Sequence, residues 1–122
     1  MLPQFRVPQD EAVLVSGDDL KTTVAAVLQK MGVPKEDAEL GADVMVLADL
    51  RGVDSHGVSN MLRTYVNGYT SGQINPRPNM RVIRETPGTA NLDSDRGLGI
   101  ITAPKGMDLA IKKAKEVGVG IV

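Results

Sequence analysis

Ala48-Asp49-Leu50-Arg51-Gly52-Val53-Asp54-Ser55-His56-Gly57-Val58 is the stretch on which the reading of this chain turns. It holds the one histidine of the 122 residues and two glycines that interrupt a helical pattern. Upstream, Leu40, Val44, Leu47 and Leu50 share one helical face, and Ala42, Met45, Val46 and Ala48 make the neighbouring faces apolar too. Pro34 suits the first turn of this helix and Gly52 its stop, so a helix is predicted over 34–51, apolar enough to be covered on several sides. Downstream, Val58, Met61, Leu62, Tyr65 and Tyr69 form another stripe. Asp54 or Ser55 would cap that helix, setting His56 in or beside its first turn.

Outward from this pair the pattern changes twice. Pro3 and Pro8 make residues 1–10 an extended arm, and Ala12-Val13-Leu14-Val15 reads as a short strand. Ser16, with Asp19 at the capping-box position, opens a helix whose stripe is Leu20, Val24, Val27, Leu28 and Met31, closed by Gly32. On the other side, residues 70–79 are a proline-rich loop, followed by a β-hairpin (80–86 and 89–93) turning at Pro87-Gly88. A last helical stripe runs from Ile100 to Val117, with Thr102 as its cap and Pro104 confined to its first turn. Val119-Gly120-Ile121-Val122 reads as the start of a strand. The predicted class is α+β: an N-terminal helical subdomain of about three helices, then a hairpin and a further helix leading into a sheet. The division falls as 1–75, carrying the histidine motif, and 76–122.

Composition narrows the functions. Lys and Arg number 14 against 15 Asp and Glu, so no basic excess exists to neutralise a nucleic-acid backbone. Phe5, Tyr65 and Tyr69 are the only aromatics, too few for base stacking. The absence of cysteine removes disulfides, thiol catalysis and Cys-ligated metals. No signal-peptide pattern and no apolar run near the length of a membrane span are present, so a soluble, cytoplasmic chain is expected.

The chemistry therefore centres on His56, whose side chain type both gives and takes a proton near neutral pH. Ser55 is placed to bond a ring nitrogen, and Asp49 or Asp54 to fix the tautomer. Arg51 and Arg63 are candidate forks for a carboxylate. No metal-ligand spacing occurs, and Gly97-Leu98-Gly99 lacks the third glycine of a dinucleotide loop, Thr102 standing there. The Lys112-Lys113-Lys115 cluster reads as a solvated helix end, and the methionines as core filler.

The string ADLRGVDSHGV, with Tyr65 on the following helix and the glycine-rich ending, resembles the type-2 malate/L-lactate dehydrogenase family over about Val13 to Val122. That resemblance implies a non-Rossmann, NAD- or NADP-dependent oxidoreductase acting on a small 2-hydroxy or 2-keto acid, as a homodimer. It implies His56 as proton donor and acceptor, with Ser55 supporting it. Many members of the family carry a substrate-binding arginine four residues after the histidine; Asn60 stands there, so Arg63 or Arg51 is the candidate anchor beside Asn60. The family's cofactor-binding residues are expected beyond Val122, which makes 76–122 the first part of a cofactor-binding domain and the chain by itself inactive. The residues alone leave two alternatives, a non-catalytic helical association domain of a larger protein and a small phosphate-ligand binder built on Arg96-Gly97-Leu98-Gly99.

Overall fold

Ser16 starts the first helix, α1 (Gly17–Lys30), by leaving extended backbone and accepting the Asp19 amide on its hydroxyl at 3.4 Å. At the other end the Gly32 amide bonds Gln29 O at 2.9 Å and the Val33 amide reaches Leu28 O at 3.2 Å, the paired bonds of a left-handed helix stop. The structure is a computed structural model and describes residues 8 and 10–122. The arm expected over 1–10 thus lies almost wholly outside the described residues. The strand expected at 12–15 does not form: Val13 and Leu14 are 85% and 97% exposed, and no neighbouring strand among the described residues offers them an edge.

The second helix, α2 (Lys35–Leu50), begins just after Pro34, whose carbonyl accepts the Ala38 amide at 2.8 Å, so the proline sits at the boundary rather than inside the first turn. It ends at Gly52, where φ is +70° and the Val53 amide bonds Ala48 O at 2.8 Å. A Cβ at that φ would crowd its own carbonyl, which is why the helix stops on glycine.

The core lies around α2. Val24 and Leu28 of α1 meet Ala38, Ala42 and Met45 of α2, with Tyr69, Leu98 and Ile101 closing the cluster. Leu28, Met45 and Val24 are fully buried, and each such side chain contributes about 1.5–3 kcal/mol. Small residues on α2 make the close approach possible: a Cβ on Gly41 would meet Leu28 Cδ1 and Ile101 Cγ1, each at 3.2 Å. Toward its C-terminal end α2 outruns its neighbours, leaving Leu47 and Leu50 exposed.

After the third helix, α3 (Val58–Thr70), the chain forms the expected hairpin, β1 (Arg81–Glu85) antiparallel to β2 (Ala90–Asp93). The register pairs Arg81 with Asp93 and Glu85 with Ala90, and shifts between Val82 and Arg84, leaving Ile83 in a bulge. Thr86 and Thr89 share a 2.8 Å hydroxyl contact that closes the turn. The Asp95 amide, at 2.9 Å, and then the Arg81 guanidinium hold the Asp93 carboxyl below the usual carboxylate range. Asp95 and Arg96 both take positive φ, 49° and 58°. Asp95 stabilises this turn by accepting from Asn75 Nδ2 at 2.9 Å and from the Asn79 amide at 3.0 Å, tying it to the loop after α3.

The fourth helix, α4 (Gly99–Val117), starts earlier than expected. Thr102 lies inside it and is no cap, and Pro104 lies within the helix, beyond its first turn. Burial of Leu98 and Ile101 against the core draws the upstream residues into helical geometry, and Leu98 N-caps without a side-chain bond. Lys113 is also corrected: it is buried, donates to Thr86 O at 2.8 Å and pairs with Glu85 at 3.1 Å. It ties α4 to the hairpin turn. Beyond Gly118 the expected strand is a single parallel bridge, Ile121 to Thr89, with the Ala90 amide on Ile121 O at 2.8 Å. The architecture is α+β, four α-helices with a two-stranded antiparallel sheet among the described residues. No helix of the described residues is long and apolar enough to cross a membrane.

Candidate active site

Between Gly52 and α3 the chain makes one tight 3₁₀ turn, Asp54–His56. The His56 amide donates to Val53 O at 2.9 Å and the Gly57 amide to Asp54 O at 3.1 Å. This turn removes Asp54 and Ser55 from the cap position expected for them. Gly57 takes that position, and the capping acceptor comes from α2: Asp49 Oδ2 receives the Val58 amide at 2.9 Å. A carboxylate there also suits the positive end of α3. Gly57 is required for a steric reason, since a Cβ at that position would fall on the Asp49 carboxylate.

Within this frame the serine and the histidine meet. Ser55 Oγ lies 2.9 Å from His56 Nδ1, while the His56 side chain is exposed. Asp49 is committed to the Val58 amide and makes no bond to the ring, which corrects its reading as a tautomer-setting group. Asp54 likewise makes no ring bond among the described residues. Asn60, in the first turn of α3, donates from Nδ2 to Ser55 O at 2.7 Å. Ser55, His56 and Asn60 are thus brought together.

The two arginines are not bonded to this group. Arg51 caps the C-terminal end of α2, and Arg63 sits three residues past Asn60, on the same side of α3. Both are exposed and neither forms an ion pair among the described residues. Tyr65 is half-buried, and burial pushes its phenol upward. Tyr69 packs into the core, where burial and then the Asp37 charge push its phenol to about 12.

No group of three or more His, Asp or Glu among the described residues is arranged to hold a metal ion. In the glycine turn before α4, a Cβ on Gly97 would meet Thr102 Cγ2 at 2.6 Å and Pro78 Cγ at 2.8 Å, so side chains already fill the space beside Gly97, whereas a Cβ on Gly99 would meet nothing within 4 Å. A cavity of ≈ 380 Å³ lies between β2 and α4, lined by Leu92, Thr102, Met107, Ala110 and Val122, away from the histidine turn. The sequence reading missed the Asp49 cap and the buried Lys113. The signal for the first was a carboxylate on the last turn of α2 paired with a glycine directly after the histidine.

Comparison with known proteins supplies the family. Over 110 residues the chain is 52% identical to malate dehydrogenase from Pyrococcus horikoshii, covering 90% of this chain and 30% of that protein. L-sulfolactate dehydrogenase from Methanocaldococcus jannaschii is 46% identical over 110 residues, covering 90% of this chain and 32% of that one. The solved structure of the Pyrococcus horikoshii malate dehydrogenase superposes with a TM-score of 0.86 at 50% identity, over 89% of this chain and 31% of that one. The chain therefore spans about a third of the length of these relatives. The malate/L-lactate dehydrogenase family profile matches residues 15–122, the histidine turn included, and by that match the chain belongs to the malate/L-lactate dehydrogenase family.

Proposed function

We propose that this chain is the N-terminal part of an oxidoreductase that interconverts a small 2-hydroxy acid and its 2-keto acid, with His56 as the proton donor and acceptor. The observation that carries this reading is the 2.9 Å contact between Ser55 Oγ and His56 Nδ1, on an imidazole that is exposed. With Nδ1–H donating to Ser55, Nε2 presents its lone pair and takes the hydroxyl proton in the oxidative direction. In the reductive direction the imidazolium returns that proton to the keto oxygen. The substrate carboxylate needs a cation, and Arg63, on the same side of α3 as Asn60, is the first candidate, with Arg51 the second. Asn60 has its Nδ2 engaged by Ser55 O, which favours an arginine as the anchor.

Family membership implies a nicotinamide cofactor, NAD or NADP, whose chemistry is to accept or give the hydride. The part proposed for this chain's own residues is proton transfer at His56 and substrate positioning by Arg63 or Arg51. In this reading residues 1–75 carry the catalytic turn and 76–122 open the cofactor-binding portion. The reading includes a cytoplasmic location and a homodimer, and the exposed apolar side chains Val13, Leu14 and Leu50 support the second.

The test is nicotinamide-linked turnover by the full protein carrying this chain, with malate, lactate and sulfolactate, each against NAD and NADP. Turnover of at least one acid is the expected result. No turnover of any 2-hydroxy or 2-keto acid would remove the reading.

A further inference from the structure

We infer that Asp49 and Asn60 are positioning residues that clamp the backbone on both sides of His56 and so fix where its imidazole points. This inference rests on the proposed proton-transfer role of His56. Each bond to the turn comes from a different helix. Asn60, on α3, holds the carbonyl just before His56 at 2.7 Å, and Asp49, on α2, holds the amide of Val58 at 2.9 Å. Between these points the backbone amides are also bonded. The His56 and Gly57 amides bond Val53 O and Asp54 O, and Gly57 O accepts the Met61 amide at 3.0 Å.

The consequence is a fixed main chain beneath an exposed side chain. Exposed histidines ordinarily sample several rotamers, whereas proton transfer needs one geometry. Here the backbone is pinned by α2 and α3, and Ser55, itself held through its carbonyl, restrains the ring at Nδ1. Asn60 therefore acts through Ser55 on the same nitrogen that sets the tautomer. At this position the short Asn60 amide reaches back to the preceding turn.

The experiment pairs kinetics with spectroscopy. Asn60 is exposed, so Asn60→Leu and Asn60→Asp remove the donor without opening the core. Asp49→Leu removes the second clamp and carries the greater risk of unfolding, so the Asn60 variants decide. In the full protein carrying this chain, each Asn60 variant is expected to lower kcat roughly 10- to 100-fold while leaving KM for the nicotinamide cofactor unchanged. Asn60→Gln, which keeps the donor on a longer arm, is expected to recover part of that loss. In the full protein the ¹⁵N imidazole signal that disappears in His56→Asn is that of His56, and it reads the clamp without turnover. Both variants are expected to move Nδ1 away from its hydrogen-bonded tautomer. An unchanged spectrum with kcat within about twofold overturns the inference. A rise in KM for the acid at constant kcat also overturns it, by making Asn60 a substrate contact. An inert His56→Asn beside a fully active Asn60→Leu removes the clamp alone, whereas an active His56→Asn removes the proton-transfer reading itself.

Discussion

The Asp49 carboxylate fills the space that a side chain on residue 57 would need, so Asp49 and Gly57 form a matched pair across the gap between α2 and α3. One residue supplies the cap for α3 and the other makes room for it. Because the pair brackets the histidine turn, the packing of two helices and the placement of His56 depend on the same contact.

Gly57→Ala tests that pair. The added methyl must displace the carboxylate, which loses the cap and strains the turn, for an expected cost of about 2–4 kcal/mol. Urea unfolding of the wild-type and variant chains measures it. An unchanged midpoint would show that the carboxylate does not occupy this space.

His56→Asn in the full protein is expected to lower kcat by roughly 100-fold or more, because the proton-transfer group is lost while the backbone turn is kept. Cofactor affinity, read by nicotinamide fluorescence, should be spared. Turnover within a few-fold of wild type would place the general base elsewhere.

Arg63→Lys separates the two anchor candidates. A lysine keeps the charge but loses the planar fork, so KM for the acid should rise about tenfold if Arg63 holds the carboxylate. Arg51→Lys in parallel should then leave KM unchanged. The reverse pattern would transfer the role to Arg51.

Tyr69 gives a pH dependence. Its phenol is raised from 10.0 to about 12 in the folded chain, so the folded state holds this proton more tightly than the unfolded state. Its contribution to stability is complete below pH 10 and is lost as pH rises from 10 to about 12. Urea midpoints across that window should fall, and Tyr69→Phe should remove this part of the slope. A phenolate titrating at pH 10 in the folded chain would contradict the burial.

The helices were legible because their signals are local. Ser16, Gly32 and Gly52 punctuate the chain by backbone chemistry that needs no tertiary partner, and the structure uses all three as read. The hairpin around Pro87-Gly88 was legible for the same reason. What failed depended on distant contacts. Val13-Leu14-Val15 has the composition of a strand, but a strand exists only beside another one. The start of α4 was set by burial of Leu98 and Ile101 in a core built from other helices, which local cap preferences at Thr102 do not register. At the site, the Ser55–His56 contact follows from adjacency, while the Asp49 bond spans nine residues and a turn whose path no periodicity describes.

The bridge between Ile121 and Thr89 gives the small sheet two unlike flanks. On one flank, β1 is exposed along its whole length, carries Arg81, Arg84 and Glu85, and is kinked by the bulge at Ile83. Charges and a kink of this kind discourage a further strand from docking. On the other flank, the chain returning from α4 already lies alongside the start of β2 in parallel, and Val119, Ile121 and Val122 bring apolar side chains with it. The two flanks therefore differ in kind: charge and a kink guard the β1 side, while the β2 side is already engaged by backbone hydrogen bonds to the segment after α4.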